Sequence, residues 1–228
     1  MGTKYIYLIR HGEYNDYENQ DVPLDLPPIE FEKYIANSTK YDVGLTEKGI
    51  EQAKLTGQKM KSYPIDKIYY SSLPRARETA YYIAQAFPDK KMTVNETPDL
   101  LECLPFTDID TAKRYANDIT SEDLAIHRKH ADDGMSTFFK FKSTDEEKDV
   151  HEILVCHGNI IRYFISLILD IKKPDDWLGM WIDNCGISML RISQRGYIRL
   201  LSLNDTGHLP RELLEEFLYG LNDVKKND

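Results

Sequence analysis

Short apolar runs of strand length alternate with helical patterns along most of this 228-residue chain. That rhythm constrains the fold more than any other feature. Six runs read as strands, at 4–9, 67–70, 92–94, 152–156, 186–192 and 197–203, each rich in Ile, Val, Leu or Tyr and bounded by charge or turn residues. Between them, "GLTEKGIEQAKLTGQKMKSYP" reads as a helix with Thr46 as N-cap and Pro64 as stop, and "PRARETAYYIAQAF" and "GNIIRYFISLILD" read as two more. Strand and helix in alternation predict an α/β fold of three layers, a mostly parallel sheet with helices on both faces.

Two segments break the rhythm. Residues 17–43 are polar and hold three prolines, and residues 107–149 are polar and helical with acidic clusters. The expectation is a single domain over 1–228 that carries these two as insertions, the second as a subdomain or lid. A short amphipathic helix, "RELLEEFLYGL", is expected near the end.

Lys and Arg number 29 against 38 Asp and Glu, a net charge of −9. Such a surface disfavours nucleic acid and anionic membranes as partners, while a local cationic pocket stays allowed. Cys103, Cys156 and Cys185 are odd in number and far apart, so neither a disulfide framework nor a cysteine zinc site is expected. With no signal-peptide core and no long apolar run, the expected location is cytoplasmic.

Two of the apolar runs close on His-Gly: "YIYLIRHGE" at Arg10 and His11, and "EILVCHGNIIR" at His157. Open parallel sheets bind ligands beyond the carboxyl ends of their strands, where these residues fall. A helix starting near Asn159 would add free N–H groups that face an anion. A third strand runs into "SSLPRARETA", which puts Arg75 and Arg77 at a helix start on the same side. Two histidines and two or three arginines so placed suit a phosphate group, whose dianion matches the guanidinium fork.

In this order, "LIRHGE", "GLTEKG", "SSLPRARETA" and "VCHGNIIR" resemble the histidine phosphatase superfamily, also called phosphoglycerate mutase-like. "DWLGMWIDNCGIS" and "LSLNDTGHLP" are similar to its mutase-like mitochondrial serine/threonine protein phosphatase branch. The resemblance implies a metal-independent and cofactor-free phosphatase with His11 as nucleophile, passing through a phosphohistidine that water hydrolyses. It implies Arg10, Arg75 and His157 on the phosphoryl oxygens, and an acid after the third strand. Glu102 is the choice there, with Asp99 and Glu96 as alternates; Glu13, Arg77 and Asn184 are secondary candidates. True mutases of the family carry an E-R-H-Y-G-type stretch, and "LLECLPFTDI" departs from it, which favours a phosphatase over a mutase. The implied substrate is a phosphorylated protein, with a small phosphorylated metabolite as runner-up and a homodimer allowed. A non-catalytic phospho-ligand binder is the reading from another class, and the presence of all four site residues speaks against it.

Overall fold

In the computed structural model, the described residues are 2–14, 44–88, 92–104, 108–115, 119–141, 147–171 and 179–214. They hold strands β1 (Thr3–Arg10), β2 (Lys67–Ser71), β3 (Thr93–Thr97), β4 (Val150–Cys156), β5 (Ile187–Ser193) and β6 (Ile198–Asp205). The helices among them are α1 (Glu47–Met60), α2 (Pro74–Ala84), α3 (Ile109–Tyr115), α4 (Ser121–Phe138) and α5 (Gly158–Ile168). All six expected strands are present. The strand order is β3-β2-β4-β1-β5-β6, and β5 alone runs opposite in direction to the other five strands.

The central strands β1 and β4 are buried on both faces, which is why their sequences run apolar without alternating. Tyr7, Ile9, Ile68, Ile153 and Val155 pack under α1 and α2 on one face. Ile6, Leu8, Leu154 and Cys156 pack under α4 and α5 on the other. The β6 edge alternates half-buried and exposed residues instead, as a strand with one wet face does.

Helix α1 is tied to the end of β1 by the residues of the "LTEKG" stretch. The Thr46 hydroxyl caps the helix by accepting from Gly49 N at 3.0 Å and donates to Glu13 Oε1 at 2.9 Å. Gly49 lies so close to the Glu13 backbone that a Cβ there would overlap the Glu13 carbonyl. The glycine thus marks a close approach of helix to loop.

Two expectations gain detail. Helix α4, in the segment expected as a subdomain or lid, packs on the sheet: Ala131, Phe138 and Phe139 belong to the same core cluster as Ile6 and Leu8. One face of a mostly polar helix was enough to anchor it. The helix expected from residue 211 is a 3₁₀ turn at Arg211–Leu213, and its remainder, like the insertion at 17–43, lies outside the described residues. The three cysteines are free and buried.

Candidate active site

The register of the two central strands explains why the His-Gly pattern occurs twice. Strands β1 and β4 are parallel neighbours with Arg10 opposite Cys156, and His11 N donates to Cys156 O at 2.9 Å. His11 and His157 therefore leave the sheet side by side, with ring centroids 5.1 Å apart. Strand β2 flanks β4 and ends at Ser71, and α2 then carries Arg75 back over the same edge.

Arg75 Nε donates to His11 Nε2 at 3.1 Å and to His157 Nδ1 at 3.3 Å. That one N–H therefore bridges two imidazole nitrogens. The Arg75 guanidinium also lies 4.7 Å from the Tyr14 ring centroid, and Tyr14 meets His11 edge-on. Arg10 lies beside the pair, and its Nη1 donates to Ile182 O at 2.6 Å.

The hydrogen bonds fix both rings. Gly12 O can only accept, so His11 Nδ1, 2.8 Å from it, carries the proton and leaves the lone pair on Nε2. His157 accepts from Arg75 at Nδ1, so its Nε2 carries the proton and donates to Ser71 Oγ at 2.7 Å. Burial drives the pKa of His11 well below the ordinary 6.5, with His157, Arg75 and Arg10 acting the same way against the Gly12 carbonyl. Burial, then Arg75 and Arg10, does the same to His157. Both rings are neutral at pH 7.

Glu102 stands at the N-terminus of α5. Its Oε1 accepts from Cys103 N and Ile160 N, both at 3.1 Å, and its Oε2 from Asn159 N at 3.5 Å. The free helix N–H groups thus face a carboxyl group of the protein's own. Burial raises the Glu102 pKa above its ordinary 4.5, against these N–H donors and Arg75.

The alternates fall elsewhere. Asp99 accepts from the Thr137 hydroxyl at 2.8 Å at an exposed position. Glu96 pairs with Arg77 at 2.6 Å, which also takes Arg77 out of the site and buries it as an ion pair. Glu13 is held by Thr46 and by Lys48, its Oε2 2.9 Å from Lys48 Nζ, and so anchors α1. Asn184 Nδ2 donates to His11 O at 2.8 Å, holding the backbone of the loop.

Three further residues belong to the arrangement. Ser71 sets the tautomer of His157, Tyr14 walls His11, and Thr79 Oγ1 accepts from Gly12 N at 2.9 Å while donating to Arg75 O at 2.7 Å. Ser71 and Thr79 both lie in "SSLPRARETA", so the motif held them. Tyr14 had no such signal. A larger cavity, of about 580 Å³, lies against Lys4, Tyr69 and Glu152 on the sheet face under α4. It is lined by none of His11, Arg75 or His157.

A neutral imidazole with its lone pair beside two arginines and a second imidazole is an arrangement chemically suited to a phosphate group. The chain belongs to the histidine phosphatase superfamily (branch 1), whose family model matches residues 6–206. It is 32% identical over 222 residues to the mitochondrial serine/threonine-protein phosphatase PGAM5 of Xenopus tropicalis, covering 92% of this chain and 67% of that one. It is 29% identical to the protein of the same name from Caenorhabditis elegans, covering 91% and 65%. This chain thus spans about two thirds of the length of these relatives. Among solved structures it is similar to a Plasmodium falciparum phosphoglycerate mutase, at 27% identity and TM-score 0.57 over 92% of this chain and 96% of that one. The fold is also that of an Entamoeba histolytica phosphoserine phosphatase, at 24% identity and TM-score 0.59 over 91% and 100%. The chain is accordingly a phosphatase, an enzyme that hydrolyses phosphate esters. The expectation of a cytoplasmic location is overturned by these relatives, which are named as mitochondrial proteins. An N-terminus read for signals alone carries no information on which compartment the kin occupy.

Proposed function

We propose that this chain removes phosphate from phosphorylated proteins through a phosphohistidine on His11. The observation that carries the reading is the His11 tautomer: with Nδ1–H committed to the Gly12 carbonyl, Nε2 presents its lone pair beside Arg75. When the phosphoryl group binds, Arg75 and Arg10 take its oxygens and Arg75 gives up its bond to the His11 lone pair. Nε2 then attacks phosphorus, the N–P bond forms and the P–O bond to the leaving group breaks. Glu102, whose pKa burial raises, gives a proton to that leaving oxygen. Its Oε2, which has only the long contact to Asn159 N, is the oxygen free to carry the proton. Water then attacks phosphorus, returns a proton to Glu102, and releases phosphate and neutral His11. Two easier displacements replace one hard one.

A protein substrate is favoured by the relatives named as serine/threonine-protein phosphatases, aligned over more than nine tenths of this chain. A mitochondrial location goes with that kinship. The test is phosphate release in EDTA from phosphopeptides, a phosphohistidine peptide and small phosphorylated metabolites, with His11→Ala as blank. The expected result is turnover undiminished by EDTA, with phosphopeptides preferred. Preference for a metabolite would overturn the substrate class, and loss in EDTA restored by a divalent ion would overturn the mechanism.

A further inference from the structure

Far from His11, at the other end of the sheet, a row of residues crosses four adjacent strands in register. His151 of β4 lies opposite Tyr5 of β1, Tyr5 opposite Arg191 of β5, and Arg191 opposite Arg199 of β6. The first two rings are stacked, with centroids 4.6 Å apart. The last two residues are like charges directly opposite each other, a pairing that destabilises a sheet unless something neutralises it. Nothing among the described residues does so: no carboxylate pairs with Arg191 or Arg199, and the buried Nε of Arg191 has no hydrogen-bond partner. A buried guanidinium N–H left unpaired is rare in a native protein and calls for an explanation.

The two arginines, with Ser193 and Tyr197, line a cavity of about 130 Å³. That is room for about four waters at roughly 30 Å³ each, and so for one tetrahedral oxyanion. Ser193 Oγ accepts from Tyr197 N at 3.1 Å, which leaves its own O–H to donate. The Tyr197 side chain is largely exposed, and its hydroxyl is a further donor. The β5–β6 turn holds both at the cavity edge: Ser193 N donates to Tyr197 O at 3.0 Å, and Gly196 turns the chain at φ +80°. The lining therefore offers two guanidinium forks and two hydroxyls on a chain whose net charge is −9.

We propose that Arg191, Arg199, Ser193 and Tyr197 form a second anion site, which takes a phosphate group, either free or carried on a peptide. Tyr5 stands beside Arg191, and His11 follows six residues further along β1, so the two sites lie roughly 20 Å apart at about 3.3 Å per residue. An extended peptide of about seven residues spans that distance. The second site touches none of the groups that would react at His11, and acts on substrate affinity or on retention of phosphate.

The deciding experiment is titration of the ¹⁵N-labelled full chain with inorganic phosphate, followed by NMR. Saturable shifts are expected at the Arg191 Nε–H and at the amides of residues 191–199, separately from those of residues 10–12 and 157–160. Arg191→Gln with Arg199→Gln should abolish the first set and leave the second. A titration that moves residues 10–12 but not 191–199, or shifts at 191–199 that persist in the double variant, overturns the site. The fold is checked by melting, and the removal of two opposed like charges is expected to leave Tm unchanged or raise it. Should the double variant fail to fold, the wild-type titration alone decides. A peptide with two phosphoserines seven residues apart separates the sources of the anion. A KM at least five-fold below that of the singly phosphorylated peptide, lost in the double variant at unchanged kcat, assigns the site to the peptide. Equal KM values, with the phosphate shifts present, assign it to free phosphate.

Discussion

His11 and His157 end neighbouring parallel strands, precede a glycine each, and are both buried and neutral. Their sequences look interchangeable, yet their rings are held the opposite way round. The Gly12 carbonyl takes the Nδ1 proton of His11 and exposes Nε2, whereas Ser71 takes the Nε2 proton of His157 and exposes Nδ1. The backbone at each histidine also differs. His157 is itself the N-cap of α5, while the backbone at His11 and Gly12 is pinned by Asn184 and Thr79. A backbone carbonyl cannot rotate away from a ring, and a hydroxyl can. The fixed partner suits the atom that must attack, and the adaptable partner suits the one that must gain or lose a hydrogen bond as phosphate comes and goes.

Breaking the pair should give unequal losses. His11→Ala removes the attacking atom and is expected to cost on the order of 10⁴-fold or more in kcat. His157→Ala removes a phosphoryl ligand and is expected to cost on the order of 10²–10³-fold. Rapid quench with labelled substrate distinguishes the two. An acid-labile phosphoenzyme should form in wild type and in His157→Ala, and not in His11→Ala. Label that survives in His11→Ala would reverse the assignment.

Glu102 extends the comparison from the attacking side to the leaving side. Its raised pKa means that the folded protein keeps this proton to higher pH than a free glutamate does. Activity that needs the proton is therefore full below that pKa and declines as pH rises through it. The lowered pKa of His11 has the opposite consequence, since its lone pair stays available as pH falls below 6.5. Glu102→Gln should cost on the order of 10²–10³-fold with alkyl phosphates and much less with a phenyl phosphate, whose leaving group needs no proton. The alkaline decline in kcat/KM should vanish in the variant; its persistence would assign that limb to the substrate phosphate, which itself titrates near pH 6.

How far these features were legible in the sequence depends on the range of each interaction. The strands, α1, α2, α5 and the gathering of Arg10, His11, Arg75 and His157 at the strand ends follow from apolar periodicity and from motifs that read locally. Arg77 is two residues from Arg75 and shares its composition, but whether it faces the site or Glu96 depends on how α2 is rotated over β2 and β3. No local pattern states that angle. The N-terminus of α5 was recognised as an anion site, yet the group it holds is the carboxyl of Glu102, 57 residues away from Asn159 in the chain. Helix α4 was read only as part of a subdomain or lid because most of its surface is polar, and the seam through Ala131 and Phe138 that joins it to the core has no strong apolar pattern. The opposed arginines of β5 and β6 were visible as residues, and their juxtaposition needed the hairpin register.

The smallest expected effect bears most directly on the contrast between the two rings. Ser71→Ala removes the acceptor of the His157 Nε2 proton and leaves Arg10, Arg75 and His11 in place. Loss of one buried hydrogen bond of about 1 kcal/mol predicts a roughly five- to ten-fold fall in kcat/KM. His157 is then free to exchange tautomers, and only the form with its lone pair on Nδ1 can accept from Arg75. Ring nitrogen shifts by ¹⁵N NMR should thus show His157 moving towards a tautomer mixture while His11, held by the Gly12 carbonyl, stays with its proton on Nδ1. Ser71→Thr, which keeps the hydroxyl, should restore the shifts and the rate together. If both rings shift equally in Ser71→Ala, the rings are coupled through Arg75 and the serine orients the pair. If neither shifts, Arg75 alone sets the His157 tautomer, and the hydroxyl contributes packing.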